Sequence, residues 1–369
     1  MCLSPIKSVS NKRYFLPGRW ESWYNEFPCG ECAECRQDRQ LQEYVRAQWM
    51  AKECLNVNHG YVVFDTLTYN DYNLPHIQDV LNDLEVRIPD RFIKPYLNMS
   101  CFRPYDWRMF LVRLRRYLSY HYGVSDGCFD YLMASEYGSD KEYVDDNGIV
   151  RKGTERPHMH VVFYVNVPQD VIDPVDFSNA VHLCWNKGKC DGVQDKGLRY
   201  FLDKRLFTIK DKDSLSISVL NVVSYVSKYI GKQESFEGKF GPIMDDLLID
   251  LLQDYDIQSI DDLWKLKKSD YKKYKLIKKF MKSVRPFSRK SHGYGEYYVE
   301  WLQSDDPEAV LEFDRVCKTG SVCLPMNKSQ KKYNCRLPQY YVRKLFYDSY
   351  VDGQTTIILL LTLIHRQTN

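Results

Sequence analysis

Two histidines one residue apart form a pattern suited to metal binding. His158 and His160 open a β-branched and aromatic run, residues 161–165, that predicts a buried strand. Because side chains alternate along a strand, both imidazoles point to one face, about 6–7 Å apart, and can bind one divalent ion. Glu136, which ends the preceding predicted strand, is the best third ligand, since a carboxylate suits Mg²⁺ or Mn²⁺. The competing interpretation is an ordinary sheet strand, on which a His-x-His pair also occurs by chance.

Two tyrosines form a second candidate site. Tyr225 and Tyr229 are four residues apart in a predicted helix, residues 219–232, and lie one above the other on the same face. The valines of this segment follow a different side, which leaves both hydroxyls able to point at a site. Lys228 and Lys232 each follow a tyrosine by three residues, where an ammonium group would favour phenolate and hold a phosphate. The competing interpretation is a half-buried tyrosine pair in a chain that has 29 tyrosines.

The two patterns together predict phosphodiester chemistry. Cleavage by a tyrosine needs a nucleophile aimed at phosphorus and a metal ion that polarises the non-bridging oxygens. A second tyrosine allows a second transesterification while the first covalent intermediate persists. Neither pattern alone would support this prediction.

An α+β fold is expected to position these residues. β-branched and aromatic runs predict strands at residues 61–69, 131–137 and 158–165. A polar, turn-rich segment separates the last two strands and predicts an antiparallel hairpin. Helices are predicted at about residues 39–55, from an N-cap at Asp106, and at 219–232. We therefore expect a central antiparallel sheet with helices on one face, and an irregular insertion at residues 70–104.

Basic side chains on two predicted helices are candidates for contact with DNA. After Asp106 the apolar residues follow one stripe, so Arg113, Arg115 and Arg116 should face water or phosphate. The net charge is only +3, but residues 265–290 hold twelve Lys or Arg against one acidic residue, directly after seven Asp in residues 245–262. Such blocks are typical of solvated helix faces or of a phosphate-contacting surface. For the second interpretation the candidates are Lys272, Lys273, Lys278 and Lys279.

Three cysteines near the N-terminus have a metal-ligand spacing. Cys29, Cys32 and Cys35 form two overlapping Cys-x-x-Cys pairs. Three thiolates leave a tetrahedral Zn²⁺ one ligand short, and Cys2 is the nearest candidate for the fourth. Unmetallated thiols and an iron–sulfur cluster are the alternatives, although the Cys-Pro ending of the ferredoxin motif is missing. In each case we expect the site to brace the N-terminus or to contact DNA, and to do no chemistry itself.

Targeting signals are not visible in the sequence. The first residues contain no apolar run after basic residues, and no stretch reaches the roughly 18 apolar residues needed to span a bilayer. We expect a reducing cytoplasm, no membrane partner, and cysteines that are thiols or metal ligands rather than disulfides.

Three blocks, in order along the chain, resemble the HUH endonuclease superfamily, and within it the replication initiators of gokushovirus-like microviruses. They are similar to the family's first motif, its metal motif and its two-tyrosine motif: Phe64-Asp65-Thr66-Leu67-Thr68-Tyr69, Arg156-Pro157-His158-Met159-His160 and Tyr225-Val226-Ser227-Lys228-Tyr229. Ser135-Glu136-Tyr137-Gly138 resembles the acidic segment that often precedes the metal motif. The Cys-rich residues 28–36 and residues 337–345 resemble the two ends of these proteins, so the resemblance covers roughly residues 1–347.

The resemblance implies an HUH endonuclease fold and a rolling-circle replication initiator that nicks and rejoins single-stranded DNA. One tyrosine would form a 5′-phosphotyrosine link at the origin and free a 3′-hydroxyl for a host polymerase, and the other would cut the regenerated origin. The implied partners are viral DNA and the host polymerase and helicase, in the cytoplasm of a bacterial host. The chain lacks a Gly-x-x-x-x-Gly-Lys-Ser/Thr loop, which argues against a fused helicase. The alternatives are a non-catalytic single-strand-binding protein, or another HUH enzyme, a mobilisation relaxase or a transposase.

The sequence suggests four segments in linear order. Residues 1–58 form the Cys-rich element and a helix, and residues 59–235 form the nuclease core. Residues 236–347 are expected to be a mostly helical accessory region, with an acidic helix before a basic one. Residues 348–369 are a tail without an assigned role.

Overall fold

A computed structural model gives the structure of the chain. It describes residues 6–7, 26–27, 29, 32–85, 95–138, 142–144, 148, 150–152, 155–188, 217–230, 236–241, 243, 246, 263–326, 331–346, 350–351 and 354–355. The chain divides into two compact units. The sheet unit comprises residues 59–208 and 232–290, and the helical unit comprises residues 1–58, 209–231 and 291–369.

A four-stranded antiparallel sheet is the centre of the sheet unit. Its strands are β3 Tyr61–Thr68, β4 Phe129–Tyr137, β7 Pro157–Val165 and β8 Ser288–Lys290. Their spatial order is β3-β7-β4-β8, and every pairing in the sheet is antiparallel. The three long strands begin and end within two residues of the predicted ones, and the chain is α+β as expected. The sequence pattern did not indicate β8, which is three residues long.

The other strands are short or stand in separate hairpins. In the sheet unit, β5 Glu142–Val144 pairs with β6 Val150–Lys152 inside the connection between β4 and β7. In the helical unit the pairs are β1 Ile6–Lys7 with β2 Glu26–Phe27, β9 Ser321–Met326 with β10 Lys331–Arg336, and β11 Tyr350–Val351 with β12 Gln354–Thr355. The β9–β10 hairpin adds two strands to a C-terminal region whose other described elements are mainly helices, as expected.

Two helices cover one face of the sheet. Helix α3 runs from Pro104 to Tyr122, and α4 from Pro174 to Cys184. Their apolar side chains meet those of β7 in an aromatic core, where ring centroids are 6.4 Å apart for Phe110–Phe163 and 5.5 Å for Phe163–Phe177. The expected layer of helices on an antiparallel sheet is therefore present.

The start of α3 differs from the prediction that Asp106 is its N-cap. The helix begins at Pro104, whose fixed φ and missing N–H suit the first position of a helix. Asp106 consequently lies inside the first turn, where it is buried, and this burial raises the pKa of its carboxyl group. The Nζ of Lys187 lies 3.9 Å from this carboxylate.

The segment at residues 70–104, predicted to be an irregular insertion, includes regular structure among its described residues. It contains helix α2, Ile77–Asp83, and a 3₁₀ turn, Pro95–Asn98. Both contribute to a second apolar core, shared with helical residues 236–240, with α6 Leu263–Ser269 and with α7 Tyr271–Val284. The Tyr137 hydroxyl donates to the Val284 carbonyl oxygen at 2.6 Å and ties the end of β4 to this core. The basic helix α7 is thus anchored to the sheet unit by its apolar side.

The helical unit is built around α1. This helix runs from Ala33 to Lys52, six residues earlier than the predicted start at Arg39, and continues into a π turn, Glu53–Val57. It packs against α5, Ile217–Ile230. The remaining helices are α8 Tyr297–Leu302, α9 Pro307–Thr319 and α10 Gln339–Phe346.

Arg46 of α1 binds the turn before α8. Its guanidinium group donates to the Tyr294 carbonyl oxygen through Nη2 at 2.6 Å and stacks on the ring of Tyr340 at 3.9 Å. Gly295, with φ of 71°, lies so close to α1 that a Cβ there would be 2.6 Å from the Arg46 carbonyl oxygen. Only glycine fits both the backbone angle and this separation.

The two units divide the chain differently from the linear segments expected from the sequence. Residues 236–290, expected in a separate accessory region, belong to the sheet unit, and their described apolar side chains share its second core. Residues 209–231, expected in the nuclease core, belong instead with the two ends of the chain in the helical unit.

Candidate metal centre

Strand pairing brings Glu136 beside the two histidines. In the β4–β7 register Glu136 is directly opposite His158, and Ala134 is opposite His160. Directly opposed residues of an antiparallel pair point to the same face, so all three candidate ligands share one face of the sheet. On the other side of β7, Thr66 of β3 is opposite His160.

The three side chains converge on one point. The Glu136 Oε1 atom lies 3.0 Å from His158 Nε2 and 3.4 Å from His160 Nε2. One potential ligand atom from each residue lies within 4.8 Å of the others. The structure therefore places the predicted Glu136, His158 and His160 together as a single cluster.

The outer nitrogens of both imidazoles have hydrogen-bond partners. His158 Nδ1 lies 3.1 Å from the Arg156 carbonyl oxygen, which can only accept, so this nitrogen carries the proton of the neutral ring. His160 Nδ1 lies 3.1 Å from the Thr66 hydroxyl oxygen, which can accept its N–H in the same way. When both Nδ1 atoms carry the proton, the lone pair of each Nε2 faces Glu136, as a metal ligand requires.

The donor set fits a divalent cation. Glu136 and His160 are only 8% and 5% exposed, so water does little to separate their charges and dipoles. Two imidazole lone pairs and a carboxylate oxygen repel one another unless a positive charge lies between them. Imidazole nitrogen with carboxylate oxygen is a common ligand set for divalent metals, and the partners of Nδ1 orient both rings.

The neighbouring backbone holds the cluster in place. Phe64 stacks on the His160 ring with centroids 5.9 Å apart. Trp185 Nε1 donates to the Thr68 carbonyl oxygen at 2.7 Å. Gly188 lies so close to the same residue that a Cβ there would be 2.1 Å from the Thr68 oxygen. Because Thr68 is the register partner of His158, these contacts fix the strand end beside the cluster.

Arg156 joins the start of β7 to the segment after β3. Its guanidinium group forms an ion pair with Asp71 and donates to the Tyr69 carbonyl oxygen at 3.3 Å. Its own carbonyl oxygen accepts from Gly138 N at 3.0 Å, besides its contact with His158. Sequence reasoning assigned no role to Arg156, Thr66, Trp185 or Gly188. The first two lay inside the quoted motifs, but only strand register shows what they contact.

The predicted nucleophiles lie on α5, in the helical unit. Val223 and Val226 of this helix are fully buried, which agrees with an apolar stripe on one side. Lys228 is exposed and Tyr229 is half-buried, whereas only the backbone of Tyr225 is described and Lys232 lies outside the described residues. The metal cluster belongs to the sheet unit, so the two predicted parts of the site fall in different compact units.

The N-terminal cysteines form a second cluster. Sγ atoms of Cys29 and Cys35 are 3.9 Å apart, and one ligand atom from each of Cys29, Cys32 and Cys35 lies within 4.8 Å of the others. Cys32 is the N-cap of α1 and Cys35 lies in its first turn, so the site straddles the start of this helix. The predicted fourth ligand, Cys2, lies outside the described residues.

The predicted DNA-contacting residues have different environments. On α3, Arg113 donates to the Cys184 carbonyl oxygen at 2.9 Å and Arg115 stacks on Phe129 at 5.2 Å, while Arg116 is exposed. Arg113 therefore links α3 to α4 instead of facing solvent. On α7, Lys272, Lys278 and Lys279 are exposed and Lys273 is half-buried.

The chain matches no protein-family model, no curated protein and no solved structure. Within the described part of the chain, no helix combines the length and apolar character needed to cross a lipid bilayer. The chemistry of the site therefore rests on its own residues.

Proposed function

We propose that the chain is a replication initiator that nicks and rejoins single-stranded DNA through a tyrosine, an endonuclease of the HUH type. The observation that carries this proposal is the buried Glu136–His158–His160 cluster, whose lone pairs converge as a divalent ion requires. The Tyr225–Tyr229 pair on α5 supplies the nucleophiles. The resemblance of these residues to the HUH motifs agrees with both assignments.

The reaction is a transfer between phosphate esters. The phenolate oxygen of one tyrosine attacks the scissile phosphorus, the bond from phosphorus to the 3′-oxygen breaks, and the leaving oxygen takes up a proton. The 5′-phosphate remains esterified to the tyrosine, and a host polymerase extends the free 3′-hydroxyl. The second tyrosine cuts the regenerated origin in the same way. The freed 3′-hydroxyl then attacks the first phosphotyrosine, which circularises the displaced strand and releases the phenolate.

The chain's own residues hold the reacting groups. Glu136, His158 and His160 would bind Mg²⁺ or Mn²⁺, which when bound polarises the non-bridging oxygens of the scissile phosphate. The Arg156 carbonyl oxygen and the Thr66 hydroxyl contact the outer nitrogens of the two histidines and favour the tautomer that presents Nε2. Lys228, exposed on α5 three residues after Tyr225, favours phenolate and attracts phosphate, and Lys232, three residues after Tyr229, is assigned the same role.

A thiophilic ion belongs to the other cluster. We assign structural Zn²⁺ to Cys29, Cys32 and Cys35, with Cys2 as the fourth ligand, because three thiolates at this separation match zinc chemistry better than that of a hard cation. The partners of the nuclease are then viral single-stranded DNA with its origin and the host polymerase and helicase, in the cytoplasm of a bacterial host.

A covalent-adduct assay tests the proposal. Single-stranded oligonucleotides that tile the replicon encoding the chain are incubated with the protein and Mn²⁺, and products are separated in denaturant. We expect an adduct that disappears with chelator, together with a phosphotyrosyl peptide at Tyr225 or Tyr229 by mass spectrometry. The control is Tyr340→Phe, a tyrosine of the helical unit outside α5. The nucleophile assignment fails if Tyr225→Phe/Tyr229→Phe still forms the adduct. If the wild type binds every oligonucleotide without linking, the protein is a single-strand binder and no nuclease.

A further inference from the structure

A cleft of about 650 Å³ opens in the sheet unit between α2, α3, α7 and the β4–β8 edge of the sheet. Its size is within the range of ligand-binding clefts in proteins. The aromatic side chains of Trp107 and Tyr131, both buried, form part of its wall. None of its lining residues belongs to the Glu136–His158–His160 cluster.

The cleft lies on the face of the sheet opposite the metal centre. Tyr131 and Glu136 are five residues apart on β4, so their side chains point to opposite faces. Trp107, from α3, packs edge-on against Tyr131 with ring centroids 5.2 Å apart, which places α3 and the cleft on the Tyr131 face. A ligand in the cleft therefore does not contact Glu136 on the other face.

The charge of the cleft is strongly positive. Four basic side chains line it, namely Arg103, Arg108, Lys279 and Arg289. Asp83 is the one acidic residue among its described lining residues, and the Arg103 guanidinium group neutralises it through two hydrogen bonds of 2.7 Å. Arg108, Lys279 and Arg289 are exposed and form no ion pair with a described residue. Three positive charges thus remain available for phosphate groups.

An exposed aromatic ring stands at the same place. The side chain of Tyr105 is 46% exposed, and the guanidinium carbons of Arg103 and Arg108 lie 5.6 Å and 5.2 Å from its ring centroid. Nucleic-acid bases stack on tyrosine rings and on guanidinium planes. Basic side chains beside an exposed aromatic ring are the combination by which proteins bind single strands without reading their sequence.

We infer that this cleft binds single-stranded DNA that flanks the scissile site, with phosphates on Arg108, Lys279 and Arg289 and a base on Tyr105. This inference rests on the proposed nuclease function, which makes single-stranded DNA the substrate. It extends that function by adding a second DNA-binding surface on the opposite face of the sheet. Its role is to retain the strand independently of the metal centre.

Equilibrium binding without chemistry tests the inference. The full chain carries Tyr225→Phe/Tyr229→Phe to prevent covalent linkage, and chelator is present so that the metal centre does not contribute. A fluorescent thymidine 30-mer is titrated by anisotropy over a range of salt concentrations. Because each phosphate contact to a single strand contributes about −0.7 to the slope of log K against log salt, Arg108→Gln/Lys279→Gln/Arg289→Gln should reduce that slope by about 2. Tyr105→Leu should weaken binding about five- to a hundredfold with little change in slope.

A charge-matched control separates the cleft from general attraction. Lys267→Gln/Lys275→Gln/Lys282→Gln removes three exposed charges from α6 and α7 that do not line the cleft, and should change the slope by much less. The inference is wrong if both triple variants lose the same affinity for the thymidine 30-mer, or if the cleft variant binds it as tightly as the parent does. It is also overturned if a duplex of equal length, or thymidine monophosphate alone, binds as tightly as the single strand.

The results separate this inference from the proposed function. A wild-type chain that forms no covalent adduct, while cleft variants lose binding, would refute the nuclease and retain the cleft as a nucleic-acid surface. Normal adduct formation, with cleft variants that bind like the parent, would refute the cleft and retain the nuclease.

Discussion

At the scale of single residues, the metal centre is decided by where two imidazole protons lie. His158 Nδ1 donates to a backbone carbonyl oxygen, and when His160 Nδ1 donates in the same way to the Thr66 hydroxyl, both Nε2 lone pairs face Glu136. Partners of this kind orient metal-binding histidines and raise their basicity. The role of Thr66 is therefore positional, because it contacts the outer nitrogen of His160 and not the point where the ligand atoms converge.

Replacing Thr66 with valine tests this role. The change keeps the β-branched shape but removes the hydroxyl that contacts His160 Nδ1, so Mn²⁺ affinity should fall about 10- to 100-fold. A titration with Mn²⁺, in which electron paramagnetic resonance reports the concentration of the free ion, measures the affinity directly. Thr319→Val, an exposed threonine at the end of α9, is the control and should leave the affinity unchanged. Equal affinities for wild type and Thr66→Val would exclude a positioning role.

At the scale of elements, the segment after β3 has a structural purpose that its composition does not reveal. Helix α2 buries Ile77, Val80 and Leu81 in the core that also holds the apolar side of α7. The basic helix α7 is thereby held against the sheet unit, with exposed lysines on its outer side. The cleft described above depends on this packing, because α2, α3 and α7 all contribute residues to it.

Truncation of Ile77 should destabilise the sheet unit. The side chain is fully buried, so Ile77→Ala should lower the free energy of unfolding by about 2–5 kcal/mol through lost burial and an added cavity. Urea unfolding followed by tryptophan fluorescence measures the change. Val175→Ala removes atoms from a side chain that is 46% exposed, so this matched control in the same unit should change stability by less than about 0.5 kcal/mol. A loss as small as that of the control would show that α2 does not stabilise the core.

At the scale of the whole molecule, two ligand sets of different chemistry lie in different units. The imidazole and carboxylate ligands of the sheet unit suit a hard or borderline ion, whereas the three thiolates of the helical unit suit a soft one. Each cluster is built from its own local backbone, a strand pair in one case and a helix start in the other. The two sites should therefore bind their ions independently.

Metal analysis of two variants tests this independence. Cys32→Ser should reduce tightly bound zinc from about one ion per chain to well below one, because it removes a thiolate ligand, while Mn²⁺ affinity stays within about twofold. Glu136→Gln should weaken Mn²⁺ binding, because it removes the negative charge of the Glu136–His158–His160 cluster, and should leave the zinc content unchanged. Mass spectrometry of the metals and Mn²⁺ titration supply the two measurements. Cys317→Ala, a buried cysteine of α9 outside the cluster, should leave both unchanged. Loss of both ions in either single variant would contradict independent sites.

Much of the sheet unit could be predicted because the relevant information is local. Strand alternation placed His158 and His160 on one face, and β-branched runs located the three long strands. The prediction of an N-cap at Asp106 was wrong because the helix begins at Pro104 and its N-cap is Arg103. Asp106 therefore lies in the first turn of the helix, where it is buried. The helix in residues 70–104 was missed because its apolar residues pack on α7, nearly 200 residues away in sequence.

The sequence by itself determined which residues can do chemistry: a histidine pair on a strand, two tyrosines on a helix and three cysteines at ligand spacing. These follow from the repeat of side-chain direction in strands and helices, which depends only on neighbouring residues. Tertiary structure alone decided that Glu136 is directly opposite His158, that Thr66 contacts His160, and that basic side chains from α3, α7 and β8 line one cleft. Such contacts depend on strand register and on long-range packing, which no local pattern encodes.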